Sequence, residues 1–307
     1  MEPFRHEAVF YDGPEAFVRR IGPFIVSGLA ADEPVLVMAP PDRNAALRAH
    51  LGDDACRVRF ADMSVVGRNP ARIIPAWRDF AGEHAGRRAR GVGEPIWSSR
   101  SPDELDECHI HESLLNLAFA GGAGFWLACP YDTRSLPPAV VAEARRTHPL
   151  GDGEPTGEYA GVPSAASALS RPLPPPPPDA REMAFFTDNV RSVRGFARKG
   201  ADAFGLNGND ADAFALAAHE VAINTILHGG GAGILRLWET AAALTGDVTD
   251  AGSMTMPLVG RIRPTPDQEG GRGVWLTNQL CDLVQIRTGP AGTTVRFHMA
   301  RRERQST

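Results

Sequence analysis

The sequence has 307 residues, enough for two globular domains, and its 43% hydrophobic and 22% charged content excludes a disordered or fibrous chain. A net charge of −5, with Lys199 the only lysine, excludes a strongly basic nucleic-acid-binding surface and confines lysine chemistry to one position. Four scattered cysteines without a C-x-x-C pair, no apolar signal core over residues 1–11 and no run near the ~20 apolar residues of a membrane span predict a reduced, cytoplasmic protein with no membrane or direct nucleic-acid partner.

In chain order, residues 8–11 read as a strand and 15–29 as a helix. A buried strand at 34–39 (PVLVMA) leads into a helix over 43–51. A strand at 56–60, helices over 69–84 and 104–119, and a strand at 125–129 (FWLAC) follow. Strands alternating with helices predict an α/β domain with a mainly parallel sheet over residues 1–150. The stretch EPVLVMAPPDRNAALRAHL stands where nucleotide folds carry a phosphate loop, but it lacks G-x-x-x-x-G-K-[ST] and so has no Walker site.

Residues 151–180 are rich in Gly, Ser, Ala and Pro and end in five prolines, Pro174 to Pro178. Such a run favours an extended spacer between domains, with a proline-recognition ligand as the alternative. Beyond it, helices are predicted over 184–203 and 210–227. Strands at 234–238 and 247–250 flank a turn at 244–246, a helix follows over 274–281, and a hairpin joins 283–287 to 293–299. Helices followed by paired strands predict an α+β sandwich on a mixed sheet over 181–300.

The helix over 213–227 is apolar on nearly every side, yet Glu220 and Asn224 lie four apart on one face. A buried carboxylate costs several kcal/mol unless a partner meets it, and this helix holds no Lys or Arg. A metal, a polarised water or a ligand resolves the conflict; so does a Glu-Asn face that borders solvent. Two later elements favour a ligand. Asp250-Ala251-Gly252 ends a strand, where a carboxylate can accept a ring donor beside open backbone. Glu269-Gly270-Gly271-Arg272-Gly273 precedes a helix, whose N-terminal N–H groups suit phosphate.

This ordered set, HEVAINTILHGG, then VTDAG, then GGRGVWLTNQLCD, resembles the gyrase, chaperone, histidine kinase and mismatch-repair ATPase superfamily (GHKL), and within it the anti-sigma-factor/serine protein kinase branch. The resemblance spans residues 183–299 and implies a Bergerat-type sandwich that binds ATP and Mg²⁺. It implies that Asn224 ligates Mg²⁺ and that Glu220 is the general base. Asp250 with Gly252 would meet the adenine, Gly271 and Gly273 would lie under the phosphates, and residues 261–270 would form a lid. It also implies a serine or threonine acceptor on an anti-anti-sigma antagonist, or a held sigma factor, and a homodimer as in related kinases. The sequence departs from the pattern in carrying Ser253-Met254 where a second glycine usually follows. No phosphoacceptor helix of a sensor histidine kinase is present, and His219 reads as a neighbour of Glu220. A non-catalytic module that uses a degenerate ATPase fold to hold its partner is the alternative.

Residues 6–150 resemble the MEDS sensory domain, on HEAVFYDG, EPVLVMAPP, the His-Glu before LLNLAF, and CPYD. That resemblance implies a RecA-like core with a lost nucleotide site and an unknown small ligand. Within it, Cys108, His111 and Glu112 fall three and four apart on a helix. His6, His111, Glu112 and Cys129 are the candidate group for a metal or a small polar ligand. Solvated His and Glu beside buried cysteines are the alternative, favoured over a metal because the spacing matches no structural zinc pattern.

Overall fold

A computed structural model describes residues 3–122, 124–161, 163–265 and 271–301. The chain divides into two compact units, Met1–Ala165 and Ala166–Thr307. Among the described residues, no helix is long and apolar enough to cross a membrane.

The first unit runs β1 (Arg5–Tyr11), α1 (Gly13–Ala30), β2 (Val35–Ala39), α2 (Pro41–Leu51), β3 (Val58–Asp62), α3 (Met63–Val66), α4 (Ile73–Glu83), β4 (Ala89–Gly93), α5 (Pro102–Ala118), β5 (Phe125–Asp132) and α6 (Pro138–Thr147). The short strands β6 (Leu150–Gly151) and β7 (Glu154–Pro155) follow, and the division between the two units falls within the next helix, α7 (Pro163–Ser170). Its sheet has the order β3-β2-β4-β5-β1-β6-β7. Neighbours pair in parallel from β3 through β6, and only β7 runs antiparallel. Every residue of β2 and β4 is buried, as expected of parallel strands covered on both faces. The start of α5 is fixed by a reciprocal capping box between Ser101 and Glu104.

The second unit contains β8 (Arg181–Phe186), α8 (Arg191–Phe204), α9 (Gly208–His228), β9 (Ala232–Glu239), β10 (Ala243–Asp250), α10 (Arg272–Leu280), β11 (Leu283–Gly289) and β12 (Gly292–Ala300). The sheet order is β11-β12-β10-β9-β8, and every pairing is antiparallel, which corrects the expected mixed sheet. Phe185, Phe214, Leu235 and Phe297 anchor the core between sheet and helices. The single helix expected over 184–203 is instead an edge strand followed by α8. The turn expected at 244–246 lies inside β10.

The stretch 151–180 is not a featureless spacer, since it contains β7, α7 and part of β6. Its prolines have a seat: Arg296 Nη2 donates to the Pro174 carbonyl at 2.8 Å, and Pro174 to Pro176 line a groove with Asp247, Thr249 and Arg287.

Candidate functional site

Helix α9 carries Glu220 and Asn224 one turn apart on the side that meets α10. A Cβ built on Gly273 would lie 3.0 Å from Glu220 Oε2 and 2.8 Å from Asn224 Nδ2. Glycine therefore lets the first turn of α10 approach the carboxylate and the amide. Gly271 caps that helix with φ of 75°, a left-handed conformation that costs glycine little. The turn presents backbone N–H groups at the positive end of the helix dipole, which suits phosphate oxygens. Among the described residues, the buried Asn224 Nδ2 has no hydrogen-bond partner, as expected of an amide kept for a ligand.

Asp250 closes β10 with its carboxylate held from two directions. Oδ1 accepts from the Gly252 N–H at 2.8 Å, and Oδ2 accepts from Thr225 Oγ1 at 2.7 Å. Each oxygen keeps a second lone pair for an incoming donor. Gly229 follows α9 so close to this carboxylate that a Cβ there would overlap it. A Cβ on Gly252 would come within 2.7 Å of both Gly229 Cα and the His228 carbonyl. Backbone packs against backbone here, and that leaves a slot beside the carboxylate.

The slot opens into a cavity of about 320 Å³. Its polar lining is Asn224, Thr225, His228, Asp250, Ser253, Thr255 and Thr293, and Val221, Met254, Met256, Val259, Val274 and Val295 supply apolar walls. A flat heteroaromatic ring with an exocyclic donor fits this mix of apolar walls and one fixed acceptor. The segment that departs from the usual glycine is tied down as well, since the Met254 N–H donates to Thr288 Oγ1 at 3.0 Å. Of the expected lid, residues 266–270 lie outside the described residues, and Arg261 is buried. Thr225, Gly229 and Thr293 had no sequence signal of their own; their roles arise from contact with Asp250 and Gly252.

Residues 185–299 match the family model of the histidine kinase-like ATPase domain. Residues 5–149 match that of MEDS, described as the methanogen/methylotroph, DcmR sensory domain. The chain is a MEDS domain followed by a histidine kinase-like ATPase domain. No curated protein matches it. Among solved structures it is similar to a crystal structure of the RsbU and RsbW domains of a Mycobacterium tuberculosis protein, at 17% identity and a TM-score of 0.30. That match covers 41% of this chain and 35% of the other, so the chain spans about a third of that structure's length.

The MEDS domain brings together three of its four candidate residues and adds one. His6 from β1, Glu112 from α5 and Cys129 from β5 meet His148, which follows α6, and all four are buried. The alternative of a solvated His-Glu face is thereby overturned. His111 lies outside the group, because successive helix residues point about 100° apart. Cys108 is also elsewhere, with its thiol donating to the Pro95 carbonyl at 3.5 Å. Burial, reinforced by the neighbouring His148, lowers His6 to about 4.

A second polar group lies at the carboxyl ends of the parallel strands, the edge where open α/β sheets bind ligands. Tyr11 ends β1, Asp132 ends β5, Glu94 follows β4 and Arg43 projects from α2; together they line a crevice of about 360 Å³. The Tyr11 hydroxyl donates to Glu94, and Arg43 lies 4.0 Å from Glu94 and 3.5 Å from Asp132. Burial raises Glu94 from 4.5 to about 8 despite the hydrogen bond from Tyr11 and the charge of Arg43. The folded chain therefore holds this proton more tightly than the unfolded chain does. Stability from this group is complete below about pH 4.5 and is lost as pH rises toward 8. Glu94→Gln is expected to remove that loss, so its stability advantage over wild type grows by a few kcal/mol between pH 5 and 8. Denaturant titrations at stepped pH measure the difference, and parallel pH profiles for the two proteins would refute it.

Proposed function

We propose that this chain is a cytoplasmic, ATP-dependent regulator of the partner-switching type. Its C-terminal domain phosphorylates a serine or threonine of an anti-anti-sigma antagonist, or holds a sigma factor. The MEDS domain, read as a RecA-like core without a nucleotide site, biases that domain in response to a small ligand. The observation that carries the ATP reading is that Asn224, Asp250 and the first turn of α10 line one cavity, with Glu220 one helical turn before Asn224 and close to Gly273.

The residues divide the work. Asp250 accepts from the adenine amino group, and Gly252 leaves room beside the ring. The N–H groups at the start of α10, with Gly271 and Gly273, receive phosphate oxygens. Asn224 holds Mg²⁺, which when bound neutralises charge on the phosphates. Glu220 takes the proton of the attacking hydroxyl. Phosphoryl transfer requires mainly positioning and charge stabilisation, and this set supplies both.

The reading is tested by incubating the full chain with γ-labelled Mg²⁺-ATP and candidate antagonist proteins. Acid-stable label on an antagonist serine or threonine is the expected result. A chain that labels no antagonist and retains no sigma factor would sink the proposal. The second reading, a non-catalytic holder, draws on Ser253-Met254, which puts the Met254 side chain in the cavity wall where the branch usually has glycine. It expects capture of a partner that neither ATP nor ADP alters.

A further inference from the structure

We propose that His6, Glu112, Cys129 and His148 form a closed, four-coordinate site for a divalent first-row transition cation, zinc above all, inside the MEDS domain. The four ligand atoms come from β1, α5, β5 and the segment after α6, and all lie within 4.8 Å of one another. Each residue is at most 1% exposed.

The separations match a tetrahedral ion. With zinc–nitrogen and zinc–oxygen bonds near 2.1 Å and zinc–sulfur near 2.3 Å, tetrahedral edges are about 3.4 Å between N and O and about 3.6 Å to S. Glu112 Oε2 lies 3.1 Å from His6 Nε2 and 3.3 Å from His148 Nε2. Cys129 Sγ lies 3.4 Å from His6 Nε2 and 3.5 Å from Glu112 Oε2.

The proton positions lead to the same place. His148 Nδ1 lies 2.8 Å from the Ala144 carbonyl, which can only accept, so Nδ1 bears the hydrogen. Asn116 Nδ2 donates to the Thr147 carbonyl at 2.9 Å, and this turns Asn116 Oδ1 toward His6 Nδ1 at 3.1 Å. His6 therefore also carries its hydrogen on Nδ1. In both neutral rings the Nε2 lone pair faces the Glu112 carboxylate, acceptor against acceptor. Among the described residues, neither His148 Nε2 nor Glu112 Oε1 has a hydrogen-bond partner. Protonating both imidazoles would set two cations with ring centroids 4.0 Å apart. One dication instead meets both Nε2 lone pairs, the sulfur and Glu112 Oε2, and the outer hydrogen bonds are the kind that orient metal-ligating histidines.

Charge closes the argument. A dication with one carboxylate, one thiolate and two neutral imidazoles has zero net charge, which a fully buried site requires. Binding releases the Cys129 thiol proton to solvent as the sulfur–metal bond forms. Four protein ligands leave no open position, so the site braces the domain and holds Cys129 as thiolate; it does not activate water.

The test uses untagged full chain purified under reducing conditions without chelator. Elemental analysis is expected to find about one zinc per chain. Replacement by Co²⁺ is expected to give the absorption of a tetrahedral centre with a thiolate charge-transfer band. Cys129→Ala, which keeps a small apolar side chain, and His148→Gln should each weaken binding by more than about 100-fold. The Cys129 variant should also lose the charge-transfer band. Circular dichroism confirms that each variant is folded. A wild-type chain that takes up neither Zn²⁺ nor Co²⁺ would overturn the site and leave a cluster held by protons. Equal uptake by a folded Cys129→Ala would overturn it too.

Discussion

Asn224→Ala is expected to abolish Mg²⁺-ATP binding while leaving the fold as stable as before, or more so. The amide nitrogen is buried without a partner among the described residues, so no hydrogen bond that they make is lost when it is removed. Alanine is also the better helix former at an interior position of α9. Stability and affinity therefore move in different directions, and a general unfolding effect cannot imitate the result. Calorimetry with Mg²⁺-ATP and Mg²⁺-ADP should show affinity falling by at least about 100-fold, a loss of about 2.7 kcal/mol. Thermal melting of the apo proteins should show no decrease. Undiminished binding by the variant would place the nucleotide away from α9. Absence of binding by wild type at millimolar nucleotide would favour the non-catalytic holder.

The parts of the molecule legible in the sequence are those whose signal is local. Residues 35–39 read as a buried strand because a parallel strand covered on both faces must be continuously apolar. The α9 motif stood out because a carboxylate and an amide interrupt an otherwise apolar helix. Strand β4 has no local signal, because ARGVG has little strand propensity of its own. Its glycines answer to a distant residue: a Cβ on Gly91 or Gly93 would come within 2.8 or 2.9 Å of the Trp77 ring. Its Arg90 is accepted in the interior because Glu33 pairs with it at 2.5 Å. Gly246 likewise looked like a turn and is mid-strand, since the Phe297 ring occupies the space a side chain would need. Strand β8 is indistinguishable from α8 by pattern, because Phe185, Val190, Val193 and Phe196 fit helical spacing. The break is made by the Asn189 side chain, whose Oδ1 accepts from the Phe186 N–H at 2.7 Å. His148 lies 36 residues after Glu112 in the sequence, and only the fold brings the two together.

Glu220→Gln is expected to separate chemistry from binding. The substitution keeps size and shape but removes the basic oxygen that would take the proton from an acceptor hydroxyl. General-base assistance contributes about 10²- to 10⁴-fold, so transfer of the γ-phosphoryl group to an antagonist should slow by that factor. Nucleotide affinity should stay within a few-fold of wild type, because Asp250 and the first turn of α10 are untouched. Single-turnover transfer and calorimetry on the same preparation make the comparison. Loss of both together would assign Glu220 to positioning Asn224 or α10, which it adjoins, instead of to proton transfer. The variant also discriminates between transfer and holding. If ATP shapes the surface that holds a partner and transfer releases it, Glu220→Gln in Mg²⁺-ATP should accumulate the complex that wild type turns over, and Asn224→Ala should form none. Partner retention that is the same in wild type and both variants would mean that the nucleotide has no part in holding.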